Sequence, residues 1–219
     1  GVGHVAKKGG VLVGFRERSS SKVADIETCH VLHPRVGELL PDLRALLDSL
    51  SIRDQIPQIE MAMGDETCVL ILRVLSTPSQ ADLAALADFG PRHQVVFYLQ
   101  TGGPDTVTPL NSVGVELTYD LPEFDLRLHF LPNDFTQVNS DINRQMIHRA
   151  VEMLQVGEDE QVLDLFCGLG NFTLPLARKA AGVTQMQFAR FYTSLQLELW
   201  NGNKVDEYFA RIMREDAKK

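Results

Sequence analysis

The chain has 219 residues, 44% apolar and 23% charged, which is enough for a buried core and excludes a disordered polymer. Its net charge of −8 excludes a global positive field for nucleic acid, although residues 1–35 hold Lys7, Lys8, Arg16, Arg18, Lys22 and Arg35 against only Glu17, Asp25 and Glu27. The three cysteines, Cys29, Cys68 and Cys167, form no CxxC pair, which argues against a secreted disulfide framework and for a reducing cytoplasm, and no apolar run approaches the roughly 20 residues of a membrane span.

Residues 10–16 and 22–27 read as paired strands around Ser19-Ser20-Ser21. Val36, Leu39, Leu40, Leu43, Leu46, Leu47 and Leu50 recur at helical spacing, with Pro41 in the first turns where it is tolerated. Strands are expected at 57–63 and 67–75. A helix over 79–89 takes Ser79 as its N-cap, and a strand follows at 93–100. Residues 101–112 read as loop, and strands at 115–119 and 124–131 close the region. This order predicts an α+β central domain over 1–132 with a mostly antiparallel sheet.

The pattern then changes. Asn139-Ser140-Asp141 caps a helix whose expected apolar face is Ile142, Met146, Ala150, Met153 and Leu154, ended by Gly157. Val162, Leu163, Leu165 and Phe166 form an apolar strand that runs into Gly168 and Gly170, and a helix-compatible run begins at Phe172. Strand, glycine turn and helix mark the cofactor crevice of an open α/β sheet. Residues 133–184 thus predict the opening of a Rossmann-like domain. Thr184-Gln185-Met186 is expected to lead into a helical tail over 185–219, with one apolar stripe at Phe188, Phe191, Tyr192, Leu195 and Leu199 and a second from Val205 to Met213. The tail is expected to pack on the exposed face of the unfinished sheet, or to mediate self-association.

Three ligand classes compete for the glycine turn. A phosphate loop needs Gly-Lys-Ser/Thr, but Asn171-Phe172 follows the glycines. A dinucleotide fingerprint needs a third glycine where Thr173 stands. The string Asp164-x-Phe166-x-Gly168-x-Gly170 instead suits S-adenosylmethionine, whose amino acid and ribose parts carry no pyrophosphate to neutralise.

At these residues the chain resembles the RNA (uracil-5)-methyltransferases, in particular the branch acting on 23S rRNA. Asp134-Phe135-Thr136-Gln137-Val138-Asn139 is similar to the family's Phe-x-Gln-x-Asn signature, and Gly14–Ser20 with Asp25–Pro34 resembles the central domain of that branch. The resemblance covers about 1–183. It implies S-adenosylmethionine-dependent methylation of uracil C5 in ribosomal RNA. It places Gln137, Phe166 and Asn171 at cofactor-contacting positions beside Asp164, Gly168 and Gly170. Gln137 could alternatively be a buried amide capping nearby backbone. Cys29 matches one cysteine ligand of the family's 4Fe–4S cluster, which three separated cysteines cannot build alone.

The family's reaction adds a cysteine thiolate to uracil C6, methylates C5, and removes the C5 proton with a carboxylate. Its Ser-Cys-Asn-Pro string is absent from this sequence, so no residue here is read as catalytic and the chain is expected to be inactive by itself. The acidic residue that would close the ribose side after the second strand, and the family's N-terminal oligonucleotide-binding module, are also absent. The other reading is a non-catalytic RNA-binding fragment that touches phosphates through residues 1–35.

Overall fold

A computed structural model describes residues 1–5, 10–20 and 22–186. The chain divides into two compact units, one covering Gly1–Met153 and another beginning at Leu154.

The first unit is built on a four-stranded sheet ordered β3-β4-β5-β6 (Gln58–Met63, Cys68–Arg73, Val95–Gln100, Val107–Pro109). Strands β3 and β6 pair antiparallel to their neighbours, whereas β4 and β5 are parallel, with Cys68 opposite Val95 and Arg73 opposite Gln100. A parallel pair needs a crossover, supplied here by helix α3 (Gln80–His93). β4 is buried from Cys68 through Leu72, as a strand covered on both faces must be, and its unbroken run of apolar residues satisfies both faces at once. Helices α1 (Pro34–Gly37) and α2 (Leu40–Ser49) contribute Val36, Leu40, Leu43 and Leu47 to the same core.

Ser79 caps α3 as its sequence predicts, in a reciprocal box with Asp82. Asp82 also accepts from the backbone N–H and hydroxyl of Ser51, at 2.7 and 2.6 Å, so one buried carboxylate joins the end of α2 to the start of α3. Burial alone would raise its pKa; the bonds from Ser51 and Ser79 outweigh this and bring it down to about 2.

Several expectations are corrected. β2 (Gly10–Val13) pairs with β1 (Val2–Val5), not with residues 22–27; the expected hairpin is reduced to a single bridge between Arg16 and Val23. α3 runs through Pro91 to His93, four residues beyond its expected end. Only one ladder bond is lost at Pro91, and glycine at 90 admits the Val95 carbonyl, which would lie 2.8 Å from a Cβ there. The loop expected at 101–112 contains β6, an edge strand that tolerates Pro109.

The expected pair of strands forms the antiparallel hairpin β7–β8 (Leu117–Leu121, Leu126–Phe130), its first strand two residues later than the sequence reading places it. Helix α4 (Ser140–Leu154) forms as expected, but its buried line is Asn143, Ile147 and Val151, while Ile142, Met146, Met153 and Leu154 are exposed. The buried stripe lies one residue round from the more apolar one, so tertiary packing and not amphipathicity sets the orientation.

The second unit pairs β9 (Gln161–Leu165) in parallel with β10 (Gly182–Met186), joined through α5 (Thr173–Ala177). The strand, glycine turn and helix form where the sequence predicts them, and a second strand that it does not predict completes a β–α–β unit. β10 continues through Met186, however, so Gln185 and Met186 belong to a strand and not to the helical tail expected from residue 185. The apolar stripes from Phe188 onward, with their expected packing and self-association, lie outside the described residues. Among the described residues no helix is long and apolar enough to cross a membrane.

Candidate functional site

The bend after β9 concentrates unusual backbone. Phe166 takes φ +66°, Gly168 φ +54° and Gly170 φ +90°, three left-handed residues in five. Such a φ is uncommon for a non-glycine side chain and costs about 1–3 kcal/mol, so Phe166 is held there by its surroundings. The Gly170 N–H donates to the Cys167 carbonyl at 2.8 Å and closes the turn; the Leu174 N–H then donates to the Gly170 carbonyl at 3.0 Å and starts α5. The two glycines serve different ends. A Cβ at Gly170 would meet Leu174 Cγ at 3.1 Å, whereas one at Gly168 would meet no heavy atom within 4 Å. Gly168 is thus required for its conformation alone, and the space beside it is open to a ligand.

Asp164, Phe166, Gly168, Gly170 and Asn171 lie together on this bend. The Asp164 carboxylate accepts the hydroxyl of the buried Thr173, tying the strand to the first residue of α5. Thr173 occupies the position of the missing third glycine, and this bond gives it a structural use there. Phe166 is 44% exposed, and Asn171 is half-buried. α5 has five residues and offers little dipole for a phosphate, which agrees with the sequence argument against a nucleotide loop.

Gln137 belongs to the first unit. Its side chain is exposed, which excludes the buried-amide alternative. It lies between two fixed points. Upstream, the Asp134 carboxylate accepts the Leu131 N–H at 2.7 Å; downstream, the Asn139 side chain accepts the Ile142 N–H at 3.0 Å and caps α4. Gln137 lines a small pocket of about 90 Å³ with Asp65, Tyr119, Asn143 and Arg144 among others. Burial pushes the Tyr119 hydroxyl up to about 12. Beside this pocket Arg127 grips Asp120 through Nε and Nη2, at 2.8 and 2.9 Å, and this pairing holds the Asp120 carboxyl below its ordinary range. Sequence reading missed this charge cluster.

The cysteines do not converge. Cys68 sits in β4, where burial pushes its thiol up to about 11; Cys167 is buried within the glycine turn itself. Neither environment makes a nucleophile. Cys29 is half-buried, with its carbonyl packed against Gly37. Among the described residues no three His, Cys, Asp or Glu side chains come together as a metal site requires, so those residues do not fit a 4Fe–4S cluster around Cys29.

The sequence pattern of the tRNA (uracil-5-)-methyltransferases matches residues 15–218. The chain belongs to this family. Among its relatives, proteins of Burkholderia thailandensis and Burkholderia ambifaria, each described as a 23S rRNA (uracil(1939)-C(5))-methyltransferase RlmD, are 51% identical over 205 residues. Each alignment covers 94% of this chain and 44% of the relative, so the chain spans less than half the length of those enzymes. Among solved structures, the Pyrococcus abyssi tRNA (uracil-54, C5)-methyltransferase in complex with S-adenosyl-L-homocysteine superposes with a TM-score of 0.50 at 19% identity. That match covers 89% of this chain and 50% of the other, and it establishes the mixed α/β fold.

Proposed function

We propose that this chain is the central and cofactor-entry portion of an S-adenosylmethionine-dependent enzyme that methylates uracil C5 in 23S rRNA. The observation that carries the reading is the bend at Phe166–Gly170, left-handed at three positions and open beside Gly168. When bound, the cofactor supplies an electrophilic methyl group on a sulfonium. The chain's own residues would hold it. The bare backbone at Gly168 allows close approach, the exposed Phe166 ring gives an apolar surface, and the Asn171 amide can donate and accept. On the other unit, Gln137 is a candidate on the family resemblance alone; its amide offers both the donor pair and the acceptor that a zwitterionic amino acid group needs. Asp164, engaged by Thr173, keeps the strand end and the helix start in register, and this holds the turn's shape.

The relatives' names support ribosomal RNA as the substrate. The buried Cys68 and Cys167 support the view that the thiolate attacking uracil C6 is not among the described residues. The chain by itself would therefore not turn over. Three cysteines without a pair agree with a cytoplasmic setting. Ultraviolet cross-linking with methyl-labelled S-adenosylmethionine, competed by S-adenosylhomocysteine, tests the reading. Label mapping to residues 164–172 is the expected result. Salt-dependent RNA binding with no competed label would favour a non-catalytic RNA-binding module that uses the basic residues of 1–35.

A further inference from the structure

The left-handed bend after β9 has to be held, and its two turn bonds do not reach the strand. The Gly170 N–H donates to the Cys167 carbonyl and the Leu174 N–H to the Gly170 carbonyl, so both lie beyond Phe166, the first left-handed residue. The bond between the Thr173 hydroxyl and the Asp164 carboxylate does reach it. It joins the penultimate residue of β9 to the first residue of α5 and encloses Phe166, Gly168 and Gly170. A threonine at a helix start ordinarily bonds nearby backbone. Here Phe172, at the cap position, gives α5 no side-chain bond, yet the Thr173 hydroxyl goes across the bend. Thr173 is buried, so its hydroxyl cannot turn to water instead, and its branched Cβ restricts the rotamers open to it. A donor fixed in this way sets the carboxylate it meets, through a strong charge-assisted bond.

Asp164 is half-buried, and its two oxygens differ. Oδ2 accepts the Thr173 hydroxyl; Oδ1 accepts no hydrogen bond from another described residue. An ionised carboxylate offers about four lone-pair sites, so most of its accepting capacity is unspent. It stands near the carboxyl end of a parallel strand, where open α/β sheets bind ligands. We propose that Thr173 is a positioning residue: it commits Oδ2 of Asp164 inside the bend and so presents Oδ1 to a hydrogen-bond donor of the methyl donor, on its amino acid part or its nucleoside part. This rests on the cofactor reading above. Glycine at 173, which a dinucleotide fingerprint requires, would leave the carboxylate without that anchor.

Binding of S-adenosylhomocysteine and of 5′-methylthioadenosine to the whole chain, measured by calorimetry, tests the proposal together with amide hydrogen exchange in the absence of ligand. Thr173→Val keeps the shape and loses the donor. It should weaken S-adenosylhomocysteine binding about tenfold and speed exchange at 166–170 about fivefold, with β9 and β10 within about twofold of the parent. Thr173→Ser restores the donor and should stay within about threefold of the parent in affinity. Asp164→Asn can still accept from Thr173 but puts an amide donor in place of the spare acceptor. It should weaken S-adenosylhomocysteine binding about tenfold and leave exchange at 166–170 within about twofold. An equal loss for 5′-methylthioadenosine, which lacks the amino acid part, places the contact on the nucleoside; no loss places it on the ammonium. Parent-like affinity in Thr173→Val or in Asp164→Asn, or a loss in Thr173→Ser equal to that in Thr173→Val, would overturn the proposal while the cofactor reading stands. If the parent chain binds neither ligand, the cofactor reading falls and takes the Oδ1 contact with it; faster exchange in Thr173→Val then upholds only the hold on the bend.

Discussion

Strand β4 and the run from β9 into the glycine turn look alike as sequence: each is a short apolar stretch containing one cysteine. The fold uses them in opposite ways. β4 is buried from Cys68 to Leu72 and its backbone is paired on both sides. The β9 run is half-exposed, with Leu163 at 47%, and it ends in left-handed backbone beside open space. One stretch holds its unit together; the other keeps a strained, accessible bend. Binding sites are expected at the second kind of place, because a fully satisfied segment has nothing left to offer a ligand.

The largest test of this contrast is truncation. Leu72→Ala, at a fully buried position, should cost about 2–5 kcal/mol in denaturant unfolding, whereas Leu163→Ala should cost about 1 kcal/mol or less. Similar losses at both sites would erase the distinction. Next comes Asp82, the buried carboxylate that accepts from both Ser51 and Ser79. Asp82→Ala should cost about 1–3 kcal/mol, as a broken buried hydrogen-bond set does. The pH dependence has a definite sign. The folded pKa, about 2, lies below the unfolded value, so the stabilisation is fully present above the unfolded carboxyl value of about 3.9 and is lost as pH falls through the folded one. Asp82→Asn should flatten the stability curve between about pH 4 and 2.

The turn itself gives smaller effects on stability. Gly168→Ala should destabilise by about 1–2 kcal/mol, wholly through the left-handed backbone, since the added methyl group meets nothing. Phe166→Gly should change stability least, by about 1 kcal/mol at most, because relief of the strained φ offsets the loss of a half-exposed ring. It should nevertheless weaken cofactor binding. A variant that gains stability as it loses ligand would mark the strain as a functional feature.

Local chemistry explains which parts of the molecule were legible beforehand. Ser79 caps α3 because a side chain three residues from its partner needs no tertiary information. The glycine bend was legible because left-handed backbone selects glycine at Gly168 and Gly170. β1 was missed because its pairing with β2 competes with a nearer serine turn, and strand partners are chosen by the whole sheet. The face of α4 was misjudged because Ile142 and Met146 outscore Asn143 in hydropathy, although Asn143 is the buried one. The Arg144–Asp65 contact joins residues 79 apart, and neither carries a local signal.

The central claim is that the Phe166–Gly170 bend receives the methyl donor. Amide chemical-shift mapping on titration with S-adenosylhomocysteine tests it most directly, since it reads weak binding as readily as strong. The account predicts shifts concentrated at residues 164–172, lost in Gly168→Val while the rest of the spectrum is retained. Saturable shifts located elsewhere, or none in 164–172 at millimolar ligand, would contradict it.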